Sequence, residues 1–146
     1  MNLDNRGAGA PPTAMVFWII WFSLFSGMFM ILQFAGGGWP SGDNTEAYLS
    51  NPMFWIPIGM FAVSQVVRWF VLPMLKTPQA MLPPAIIGMA MAEGTMILAL
   101  FLLPKGMVEG KQILIILGFL GVLSFAPVYL MKRDGGSKDY TDIGRE

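Results

Sequence analysis

The chain has 146 residues, 55% of them hydrophobic and 12% charged, with nine basic and nine acidic side chains and no net charge. The charged share is about half that of a soluble domain, and so short a chain has too little interior to hide its long uncharged stretches from water. Electroneutrality removes the electrostatic case for nucleic acid, and the absence of Cys and His removes disulfides, thiolate nucleophiles, Cys/His zinc sites, iron–sulfur clusters and His-ligated haem.

Residues 1–13 (MNLDNRGAGAPPT) form a short polar tail rich in Gly and Pro. The first apolar run, 14–35, holds Gln33 and two serines but no ionised residue. As a helix it reaches about 33 Å, enough to cross the hydrocarbon core. It is longer than the apolar part of a signal peptide and lacks a strongly basic leader, so it reads as a span rather than a cleaved segment. Residues 36–52 are a polar connection dense in turn formers. The second span covers 53–75, interrupted by Arg68. The following KTPQAMLPP contains three prolines and predicts a turn centred near Gln79. The third span covers 85–103, interrupted by Glu93; PKGMVEGK is a polar turn; the fourth span covers 112–131, and residues 132–146 are a polar tail.

These runs are apolar on all sides for about twenty residues, where barrel strands would alternate over about ten. In lipid every backbone group must be satisfied internally, so the runs are helices. The expected fold is therefore an all-α integral membrane protein of four transmembrane helices, arranged as two antiparallel hairpins. Orientation follows from the basic residues. One side carries Arg6, Lys76, Lys132, Arg133, Lys138 and Arg145, and the other only Lys105 and Lys111. The positive-inside rule places both termini in the cytoplasm, N-in and C-in, as in the cytoplasmic membrane of a prokaryote. Phe17, Trp18, Trp39, Phe54, Trp55, Trp69 and Tyr129 lie near span ends and are expected to form an interfacial aromatic belt.

Arg68 and Glu93 are the ionisable residues well inside spans. Each costs about 2.5–3.5 kcal/mol at a helix centre on the insertion scale. With the turn near Gln79 their depths differ by about 3–5 Å at helical rise, within reach of an Arg fork meeting a carboxylate. Ser64 and Gln65 share the Arg68 face, extending a polar seam. Small residues at Ser23, Gly27, Gly88, Ala90, Ala92, Gly94, Gly118, Gly121 and Ser124 offer flat patches for helix packing. The bland reading of the charge pair is a static bridge that holds register; the sharper one is an ion site with Glu93 as carrier. Met28-x-Met30 and Met89-x-Met91 have donors that suit Cu(I), but residues two apart diverge on a helix, and core packing is the simpler reading. No Ser, Thr or Lys stands with an evident base. No catalytic residue, metal site or cofactor is expected.

The segment IIGMAMAEGTMILALFLL (86–103) resembles the carboxylate helix of rotary ATPase proteolipids, where an acidic residue follows small residues and precedes an aliphatic run. The resemblance implies that Glu93 carries a transported ion. It covers 18 of 146 residues; the first span lacks that family's repeated glycines, and Arg68 has no counterpart in it. Two functions follow as expectations: a non-enzymatic accessory or self-associating subunit, with lipid and a homo-oligomer or other membrane subunits as partners, or a proton- or cation-translocating subunit.

Overall fold

The computed structural model describes residues 13–127, and these contain helices and no strand. Helix α1 spans Thr13–Met30 and widens into a π-turn at Ile31–Ala35. Helix α2 spans Pro52–Val66, continues through a π-turn at Val67–Val71, and ends with Leu72–Met74. Helix α3 spans Pro78–Phe101 and α4 spans Val108–Ser124. Among the described residues, three helices are long and apolar enough to cross a membrane: Met15–Ala35, Pro52–Met74 and Pro78–Phe101. That is the signature of a multi-pass membrane protein. Of the tail expected over 1–13, Thr13 is the first residue of α1; residues 1–12, the tail at 132–146 and Tyr129 lie outside the described residues.

Capping explains where two of the helices begin. The Asn51 side chain accepts a hydrogen bond from Met53 N at 2.9 Å, and Thr77 Oγ1 accepts from Ala80 N at 3.3 Å. In both cases proline follows at the first helical position, where its missing N–H leaves no intrahelical bond unmade. The prolines read as a turn at 78–84 are thus helical, and α3 begins at Pro78 rather than at 85. The link between α2 and α3 is only residues 75–77. The π-turn in α2 has a local cause. Pro73 has no N–H for the carbonyl of Trp69, and its ring crowds that carbonyl, so the preceding turn widens.

The fourth helix also departs from expectation. It begins at Val108 rather than 112 and ends at Ser124, with turns at Phe125 and Pro127; residues 128–131 of the expected span lie outside the described residues. Pro127 disfavours helical backbone at Ala126 and stops the helix.

The core has two parts. Met28, Leu32, Phe54, Met96, Leu103, Met107, Leu114 and Ile115 fill one; Phe17, Leu72, Met81, Met89 and Phe125 fill the other. Met28 and Met89 are fully buried while Met30 is exposed, so the first of the two Met-x-Met pairs diverges and its buried member packs. Phe17 and Phe54 are buried core residues, not members of an interfacial belt. Trp39, Trp55 and Trp69 are exposed. Phe34 is 78% exposed and Met74 76%; these and many other bare apolar side chains make a surface suited to hydrocarbon.

Candidate functional site

Arg68 and Glu93 do not meet. Helices α2 and α3 run antiparallel in a register read from three contacts. A Cβ on Gly88 would lie 3.2 Å from Val67, a Cβ on Gly94 would strike Met60, and Thr95 Oγ1 donates toward the carbonyl of Pro57 at 3.3 Å. Glu93 is therefore level with the region of Phe61. Arg68 lies about seven residues, about 10 Å, further along the axis. The expected register failed because the turn is centred near 76 rather than 79, which moves α3 lengthwise against α2.

Arg68 instead serves the end of α4. Its Nε–H donates to the carbonyl of Ser124, and its guanidinium sits 5.1 Å from the Trp69 ring centroid. From α1, the Trp21 indole N–H donates to the carbonyl of Val122 at 2.8 Å. The last turn of a helix leaves carbonyls without intrahelical donors. Arg68 supplies one to Ser124 with a positive charge that suits the negative end of the helix dipole, and Trp21 adds a donor to the Val122 carbonyl, which also accepts from Phe125 N at 3.1 Å. Replacing Trp21 by Phe keeps the ring that stacks on Phe25 but loses the bond. It is expected to destabilise by about 1 kcal/mol in denaturant unfolding in detergent; unchanged stability would show that the indole N–H contributes nothing. Sequence reasoning missed this cap because neither Trp21 nor the α4 carbonyls carry a local signal of it.

The rest of the predicted seam divides. Ser64 is fully buried, and its hydroxyl has no partner among the described residues. Gln65 accepts from Trp69 Nε1 at 3.2 Å through its carbonyl oxygen, while its amide nitrogen is buried without a partner. Ser124, besides accepting from Arg68, donates its hydroxyl to Gly121 O at 2.6 Å.

The small residues divide as well, and their division defines the candidate site. Gly88, Ala92, Gly118 and Gly121 are buried inside the bundle. A Cβ on Gly118 would come 3.0 Å from Met96 Cβ, and one on Gly121 would come 2.7 Å from Ala92 Cβ, so these residues set the α3–α4 approach. Gly94 meets Met60 of α2. Ser23 and Ala90, by contrast, are exposed, and Gly27 is half-buried. A Cβ on Gly27 would meet Glu93 Oε1 at 3.9 Å. Ser23 lies one turn below Gly27 on the same face of α1, and Ala90 lies one turn below Glu93 on the same face of α3. A shallow seam of small side chains thus runs along the α1–α3 boundary, with a half-buried carboxyl group set into it.

Among the described residues no group of three acidic, His or Cys side chains converges in a way that could hold a metal ion. No protein-family model, curated protein or solved structure matches the chain.

Proposed function

We propose that this chain is a non-enzymatic accessory subunit of a membrane, spanning it four times with both termini in the cytoplasm. It joins a second copy or another membrane subunit through the seam of Ser23, Gly27, Ala90 and Glu93. The observation that carries this reading is Glu93 itself. It sits in the middle of a span, half-buried, beside a residue without a side chain, and Arg68 is committed elsewhere. A carboxyl group in hydrocarbon is costly, and small residues beside it allow another helix to approach closely enough to hydrogen-bond it. The connections support the hairpin arrangement: the loops after α1 and α3 meet at one end, where Thr45 N donates to Gly106 O at 3.0 Å and Gln112 Nε2 donates to Pro40 O at 2.8 Å.

Native mass measurement in mild detergent tests the association. The wild-type chain is expected as an oligomer or with a membrane companion. Ser23→Leu and Ala90→Leu, which fill the seam without entering the core, are expected to give monomers of undiminished helicity. A wild-type monomer without a companion would refute the reading.

The same carboxyl group and the resemblance to the proteolipid carboxylate helix favour a second function, translocation of a proton or cation by Glu93. Carbodiimide labelling of Glu93 that Na⁺ slows, together with ion flux lost in Glu93→Gln vesicles, would select it. Under the accessory reading that variant leaves flux unchanged.

A further inference from the structure

At the end of the bundle away from the 75–77 turn, a cleft of about 350 Å³ opens between the loop that leaves α1 and the start of α4. We propose that this cleft binds the phosphate group of an anionic molecule at the membrane surface, with an anionic phospholipid headgroup as its natural source.

Lys105, Lys111, Ser41 and Trp39 are among the residues that line it, and no acidic residue is; the Glu46 carboxylate stands close by, beside Gly106. These lysines are the two basic residues that the sequence places on this side of the membrane, and both stand in one cleft. Lys111 lies just outside the apolar run of α4. Its ammonium is pushed below the ordinary lysine value by burial and then by the neighbouring charge of Lys105. Two like charges drawn together without a carboxylate in the wall make a site that an anion would relieve, since an opposite charge favours both protonated forms.

The loop backbone gives the cleft its shape. Gly37 and Gly38 hold φ of +74° and +92°, which side chains rarely adopt. The N–H groups of Gly36 and Gly38 return to Ile31 and Leu32 of α1, so ligand binding falls to the side chains rather than to these amides. The place of the cleft argues for a lipid source. Leu100, in the last turn of a membrane-crossing helix, forms part of the wall, and the exposed Phe34 and Phe101 nearby offer a path for acyl chains. Phosphate chemistry suits paired lysines, which bind it as point charges.

The test uses the full chain in mild detergent, titrated with dioleoyl phosphatidylglycerol, dioleoyl phosphatidylcholine or inorganic phosphate and read by native mass measurement and thermal unfolding. Phosphatidylglycerol is expected to bind more tightly than phosphatidylcholine, and to bind about thirtyfold more weakly to the Lys105→Gln/Lys111→Gln double variant. Lys76→Gln, at the opposite end, is expected to bind as the wild type does. Stabilisation by inorganic phosphate alone, lost in the double variant, keeps the phosphate site and assigns it to a free anion. Equal retention of both lipids with no effect of phosphate overturns the proposal, as does equal phosphatidylglycerol binding by wild type and double variant. On the wild-type chain, phosphatidylglycerol should shield Lys105 and Lys111 but not Lys76 from amine acylation. Unshielded lysines overturn the proposal without any appeal to a variant's folding.

Discussion

Gly118→Val is expected to destabilise the bundle by about 3 kcal/mol, at the upper end of ordinary overpacking costs. The neighbours that a Cβ would meet are Met96 Cβ at 3.0 Å, Ala92 O at 3.1 Å and Met96 N at 3.3 Å. Two of these are backbone atoms of α3, and a backbone inside a helix cannot turn aside as a side chain can. The α3–α4 separation must therefore grow, and the contacts of Leu114, Ile115 and Val122 loosen with it. A Cβ on Gly88, by contrast, would strike side-chain atoms, the buried ring of Phe125 and Val67 Cγ1, rather than backbone. The control is Gly59→Val, which meets nothing within 4 Å and should stay within about 0.5 kcal/mol of wild type. Reversible unfolding in mixed micelles measures both. Equal losses at 59 and 118 would mean that the close α3–α4 approach at Gly118 is not what the substitution disturbs, since helix propensity favours Val over Gly at both positions.

Arg68→Met should cost about 2 kcal/mol, in the range for hydrogen bonds made by charged groups. Methionine retains much of the apolar stem but leaves the carbonyl of Ser124 without its donor and removes the cation from the α4 terminus. Amide exchange should quicken at residues 122–125, while the middle of α3 around Glu93 keeps its protection. A double-mutant cycle separates this account from the static bridge. With the two side chains about 10 Å apart along the axis, Arg68→Met and Glu93→Gln should add to within about 0.5 kcal/mol. Coupling above about 1 kcal/mol would restore the direct pair, and the register given above would then be wrong.

The failed pairing shows how far a short error in a turn propagates. Charges, prolines and apolar runs were each visible, but whether a proline breaks a helix or starts one depends on which residue caps it. Thr77 supplies the cap, and Pro78 becomes the first residue of α3. Moving the turn by about three residues changes the relative depth of facing side chains by about twice that, about 9 Å at helical rise. That is enough to part Arg68 from Glu93. Two of the expected belt aromatics, Phe17 and Phe54, face inward for a related reason: position near a span end says nothing about the face.

The sequence by itself determined the medium and the element type. Long uncharged runs demand hydrocarbon, and hydrocarbon demands helices, because no water is there to satisfy an open backbone. The sequence also singled out Glu93 and the small residues as unusual, since burial cost and side-chain size are properties of single residues. Only the tertiary structure decided which small residues close the core and which stay open, where Arg68 directs its charge, and that Lys105 and Lys111 share one cleft. Those outcomes depend on helix rotation and register, which are set by the packing of every face at once and are encoded at no single position.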